Sequence, residues 1–207
     1  MSMENNNNLN EDPRIAFFDR HAENWRDSQP PVEAIIARFE QVKELLALKP
    51  GHNVLELGCG PGQYTKWIYD QVKPGRVTST DFSPAMIAEA SRQMLPVDFM
   101  ISDICTEPPE LSMYHNVFCY NAFPHFRDKK SALRNIRRSL RRGGVLVVLH
   151  FMNRHQLSEF HAQVGGPVQN DVIPSDEEWE ALITEANLTL QVLKDEEDLF
   201  LLRAVRE

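Results

Sequence analysis

The stretch "ELGCGPG", Glu56–Gly62, places three glycines within five positions, directly after the apolar run "NVLEL". Glycine weakens the interior of helices and strands, so such a cluster marks a sharp turn or a place where a ligand approaches the backbone. A helical stretch, "QYTKWIYDQVKPG", follows and stops at Pro74-Gly75. Strand, glycine turn and helix together open an α/β sheet.

The pattern continues on both sides. Upstream, "PVEAIIARFEQVKELLALKPG" puts Val32, Ile35, Ile36, Phe39, Val42, Leu45 and Leu46 at helical spacing and predicts one helix ending at Pro50-Gly51. "PRIAFFDRHAENW" before it is short, aromatic-rich and helical. Downstream, "RVTSTDF", "VDFMISDI", "HNVFCYNAF" and "VLVVLHF" read as strands. Two helices lie among them: "SPAMIAEASRQM", with Ser83 as cap and Pro84 in first position, and "DKKSALRNIRRSLRRGG", capped by Asp128 and stopped by Gly143-Gly144. This alternation predicts a parallel sheet with helices on both faces. The end differs. "SDEEWEALITEA" opens with the capping box Ser175 to Glu178. "LTLQVLK" and "DLFLLRAVR" then follow across a short acidic connection, so they form an antiparallel hairpin.

Composition sets limits. The 207 residues, 42% hydrophobic and 25% charged, suit one globular domain. Thirty acidic against 22 basic residues give a net charge of -8, which disfavours nucleic acid as partner. The basic run "RNIRRSLRR", Arg134–Arg142, reads as a solvated helix face near its C-terminal end. Cys59, Cys105 and Cys119 lack metal-type spacing and read as reduced, buried thiols of a cytoplasmic protein. No apolar run approaches the ~20 residues that span a bilayer, and no signal peptide is expected. Residues 1–12 read as a frayed polar tail, 13–49 as N-terminal helices or a lid, and 50–207 as the core, with an insertion at about 151–175.

In open parallel sheets ligands sit beyond the carboxyl ends of the strands, where strand order reverses. Gly58, Gly60 and Gly62 there form G-x-G-x-G, not the G-x-G-x-x-G of dinucleotide sites, and no Walker lysine follows. Asp81 ends the second strand, Asp103 the third and Asn121 the fourth. Asp81 can accept from ribose hydroxyls. Asp103 can accept from an exocyclic amine while the Ile104 N–H donates to the ring. Taken singly, each carboxylate is equally well a helix cap or a solvated turn.

Together these residues resemble the class I S-adenosylmethionine-dependent methyltransferases, through "LKPGHNVLELGCGPGQYT", "VTSTDFSPAMIAEA", "ISDI", "CYNAFPHFRD" and "SLRRGGVLVV". The resemblance implies a Rossmann-like three-layer α/β sandwich, its seven-stranded, mostly parallel sheet ending in an antiparallel strand. It implies S-adenosyl-L-methionine as cofactor and S-adenosyl-L-homocysteine as product. Glu56 would anchor the turn, with Gly58, Cys59, Gly60 and Gly62 along the methionine part. Asp81 would hold the ribose, Phe82 would lie on the adenine, and Asp103 with Ile104 would read its edge, with Asn121 beside them.

The expected reaction is in-line displacement onto a small-molecule acceptor, in which the protein aligns the partners and excludes water. His125, His150 and His161 are the catalytic candidates, with Asp171 on the substrate side and His155 nearby. A lone histidine is more often structural. A metal reading is open, but nothing fixes the spacing of these ligands, and no metal is expected. Phe17 and Trp25 are either core or a lid over the cofactor. Two other readings stay open: a nicotinamide-dependent Rossmann oxidoreductase, disfavoured by the glycine spacing, and a non-catalytic cofactor-binding protein. The identity of the acceptor and the oligomeric state are not legible.

Overall fold

The computed structural model describes residues 12–207. The tail expectation lies outside them, apart from Asp12, whose carboxylate accepts from the Arg14 N–H and caps the first helix. In chain order the helices are α1 (Pro13–His21), α2 (Val32–Gln41), α3 (Lys43–Leu46), α4 (Thr65–Val72), α5 (Pro84–Ser91), α6 (Lys129–Ser139), α7 (Arg154–Val164) and α8 (Asp176–Glu185). The strands are β1 (Val54–Leu57), β2 (Val77–Asp81), β3 (Asp98–Ile101), β4 (Tyr114–Tyr120), β5 (Leu140–His150), β6 (Thr189–Glu196) and β7 (Leu199–Val205).

They form one seven-stranded sheet in the order β3-β2-β1-β4-β5-β7-β6. β1 pairs in parallel with β2 and β4, β2 with β3, and β4 with β5. β7 runs antiparallel between β5 and β6, as the short acidic connection requires. Strand order reverses between β1 and β4, so the crevice above their carboxyl ends is the place for a ligand.

Alternation along the strands separates two cores. Leu146 and Val148 of β5 join Leu133 and Ile136 of α6, Trp179 of α8 and Phe200 on one face. Val147 and Leu149 join Phe39, Trp67 and Ile68 on the other. Ser83 and Asp128 cap α5 and α6 as expected, and α8 carries its capping box. A second box, Asn153 with Gln156, starts α7.

Two expectations are corrected. The single helix over 31–51 breaks at Val42, and α3 stops at Ala47 with φ 56°. The buried Asn116 amide donates to the Leu46 and Ala47 carbonyls and holds the end there. The helix of 128–144 ends at Ser139, because the ladder beyond it captures Leu140 and the residues after it. The Arg206 N–H donates to the Gly144 carbonyl, the Gly143 N–H donates to the Arg206 carbonyl, and Gly143 adopts φ 74°. Arg141 and Arg142 therefore leave the basic helix face. Among the described residues no helix is long and apolar enough to cross a membrane.

Candidate active site

β1 delivers Glu56 into the interior, where its Oε2 accepts from the hydroxyls of Thr65 at 2.7 Å and Ser79 at 2.6 Å. The carboxylate thereby ties β1, β2 and α4 together beneath the turn. Burial, opposed by those two bonds, raises its pKa to about 7. All three glycines of the turn have positive φ, but their surroundings differ. A Cβ on Gly58 would lie 2.3 Å from the Ala122 Cβ, and one on Gly62 2.6 Å from the Gln93 amide nitrogen. Both are therefore held by protein neighbours. A Cβ on Gly60 would meet nothing closer than Trp25 Nε1 at 3.9 Å, so it is the glycine that leaves room for a ligand. Cys59 is buried beside it, and burial raises its pKa. Cys105 and Cys119 are also buried free thiols.

Asp81 ends β2 with its Oδ2 accepting from the Gly60 N–H and its Oδ1 from the Ser83 N–H, both at 2.9 Å. Burial outweighs these bonds and lifts its pKa to about 6. Phe82, Asp103, Cys105, His125, Phe126 and Arg127 line a small pocket together with Asp12 and Ile15 of the N-terminal segment. Asp103 accepts from the Cys105 N–H at 2.8 Å and pairs with Arg127 at 3.1 Å, a partner the sequence did not suggest. Ile104 is buried, and its carbonyl accepts from Asn135. Asn121 is exposed, has φ 53°, and donates its N–H to the Leu149 carbonyl.

The N-terminal segment lies across this rim. Phe18, Ala22 and Trp25 share one side of it, with Phe17 packed alongside. The Phe18 ring meets Phe82 at 5.6 Å and His125 at 5.2 Å. Asp19 accepts from the Ser83 hydroxyl at 2.5 Å and the Ala85 N–H at 3.1 Å, while Arg26 donates to the Pro61 carbonyl at 3.2 Å. Phe17 and Trp25 pack against a cluster in which Phe18 is the buried anchor of the segment. Its spacing of four from Ala22 and seven from Trp25 was the available signal.

On the far side, the turn Phe123–His125 after β4 brings His125 to Asp171, with Nδ1 at 2.9 Å from Oδ2. Arg14 of α1 holds the same carboxylate twice, Nε to Oδ2 at 3.0 Å and Nη2 to Oδ1 at 2.8 Å. Burial opposes ionisation of Asp171, but the bonds from His125 and Arg14 prevail and hold its pKa at about 2. His161 of α7 donates Nδ1–H to the Asp171 carbonyl, and its ring lies 4.9 Å from that of His125. His150 ends β5 only 1% exposed, and neither ring nitrogen has a partner among the described residues. Burial, then the neighbouring His125 and His161, lower its pKa to about 3, so it is neutral. His155 is exposed on α7 beside Glu159 and stands apart. No group of three His, Cys, Asp or Glu side chains among the described residues is arranged to hold a metal.

The residues fit a nucleoside. There is an acid at each of two adjacent strand ends, an aromatic wall between them, and an open glycine toward the centre of the sheet. Residues 54–144 match the methyltransferase domain family. The chain is 31% identical over 150 residues to (S)-coclaurine N-methyltransferase of Thalictrum flavum subsp. glaucum, covering 70% of this chain and 40% of the relative. It is 30% identical over 122 residues to trans-aconitate 2-methyltransferase of Variovorax paradoxus, covering 58% and 47%. The chain thus spans less than half the length of these two curated relatives. The crystal structure of a SAM-dependent methyltransferase from Aquifex aeolicus superposes with TM-score 0.66 at 19% identity, covering 81% of this chain and 89% of that one.

Proposed function

As the chain belongs to the class I S-adenosylmethionine-dependent methyltransferases, we propose that it moves a methyl group from that cofactor to a small-molecule acceptor. The bound cofactor supplies a methyl already activated on a sulfonium. The chain's own residues bind, orient and exclude water. An ionised carboxylate has about four acceptor sites, so Asp81 can take ribose hydroxyls while keeping its bonds from Gly60 and Ser83. Phe82 covers one adenine face, and Asp103 accepts from the exocyclic amine. Gly60 admits the methionine part. For that, Trp25 and Phe18 give way and then close again, so α1 with the turn that follows it is the gate that keeps water out. A small acceptor is supported by the acidic net charge and by the two relatives, whose names specify coclaurine and trans-aconitate.

The observation that carries this reading is the Gly60–Asp81–Phe82 corner, which offers one open backbone position, one buried carboxylate and one aromatic face. Titration calorimetry tests it. S-adenosylhomocysteine is expected to bind and NADH is not, and Asp81→Ala is expected to weaken S-adenosylhomocysteine at least about tenfold, the loss of one hydrogen-bonded charge. Binding of NADH in its place ends the reading.

A further inference from the structure

The cluster around Asp171 narrows the class of acceptor. The ionised Asp171 carboxylate only accepts, so His125 turns Nδ1–H to it, and the neutral imidazole in that arrangement has its lone pair on Nε2. The Asp171 carbonyl likewise makes His161 an Nδ1–H tautomer. One residue thus fixes two imidazoles, one through its side chain and one through its backbone. The cations nearby are already engaged. Arg14 is bidentate on Asp171, Arg127 pairs with Asp103, and Lys129 donates to the Pro124 and Phe126 carbonyls. Among the described residues, none of these three cations is left unpaired to receive a carboxylate. Two imidazole lone pairs beside the neutral, unpartnered His150 suit a group that donates a proton.

Resting on the methyltransferase reading, we propose that His125 is the base for an acceptor hydroxyl or amine, that Asp171 is its positioning residue, and that carboxylates are not acceptors. In the step, the acceptor's lone pair forms the bond to the methyl carbon as the carbon–sulfur bond breaks, and the bonding pair of that broken bond stays on sulfur. The acceptor's proton passes to His125 Nε2, and the imidazolium stays paired with Asp171 until it loses the proton to water. Arg14 sits on α1, so closure of the N-terminal segment brings the third partner of this set into place.

The test uses the full chain labelled with 15N-histidine and loaded with S-adenosylhomocysteine at pH 8, read by long-range proton–nitrogen correlation. His125→Gln assigns the resonance. The proposal expects a single His125 tautomer, protonated at Nδ1 and bare at Nε2, which becomes mixed in Asp171→Asn. A His125 protonated at Nε2 in the parent overturns it, whether or not Asp171→Asn folds. Phenol, ethanolamine and benzoate are then titrated in. A shift of His125 Nε2 with phenol or ethanolamine supports the acceptor class, whereas a response to benzoate alone, or to none, overturns it. Zinc that moves His125, His150 and His161 together at one equivalent would assign the lone pairs to a metal and also overturn it. If calorimetry on the same sample shows no S-adenosylhomocysteine binding, the methyltransferase reading itself falls. If the product binds and the tautomer is wrong, only the base assignment does.

Discussion

Glu56 shows how one side chain couples the turn to pH. Its pKa of about 7 lies above the ordinary value of 4.5, so the folded chain holds this proton more tightly than the unfolded one. That contribution to stability is complete below about pH 4.5 and is lost as pH rises through about 7. Keeping the buried carboxylate ionised at pH 8 costs on the order of 3 kcal/mol. Glu56→Gln keeps an acceptor for Thr65 and Ser79 and removes the charge. Urea unfolding is expected to show the variant gaining on the parent at pH 8 but not at pH 4.5; an equal difference at both would refute the burial account. Asp171 has the opposite sign: its contribution is present above its ordinary 3.8 and lost as pH falls through about 2. The sequence offered Asp81, Asp103 and His125 as candidates because strand ends and their following loops are legible, and His161 and Asp171 because they lie in the segment after β5. It hid Arg14, whose ion pair with Asp171 spans 157 positions, and Arg127, which reaches back to Asp103 from the loop after the next strand; neither leaves a local pattern.

α1 illustrates the same division for a whole element. Asp12, Pro13 and the aromatic spacing announce a helix, but nothing in them says that its apolar side rests on Phe82, Met86 and Val168. That docking makes a spectroscopic prediction. Trp67 and Trp179 are buried in the two cores, whereas Trp25 faces Gly60, so binding of S-adenosylhomocysteine is expected to change Trp25 emission. Trp25→Phe should abolish the response while calorimetry still detects binding. A response that survives the substitution would place the ligand elsewhere. The boundary between α6 and β5 went the other way. Local signals carried the helix to Gly143-Gly144, but pairing with β4 and the Arg206 backbone outweighed them.

Across the molecule, the terminal hairpin completes the sheet and buries Phe200 beside Trp179 and Leu202. Phe200→Ala is expected to cost about 3–5 kcal/mol in urea unfolding, the usual range for emptying such a site. A loss below about 1 kcal/mol would mean that the hairpin is not part of the cooperative core. Alternating strands and helices, the antiparallel end, the caps at Ser83, Asp128 and Ser175, and the chemical groups offered at each strand end were determined by the sequence alone. They depend on spacing and side-chain type within a few residues, where hydrophobic period and turn chemistry act. The tertiary structure decided which glycine stays open, which aromatic ring anchors the N-terminal segment, and how Asp171 comes to join Arg14, His125 and His161. Those outcomes depend on contacts between distant parts of the chain, whose energies arise only when packing brings the parts together.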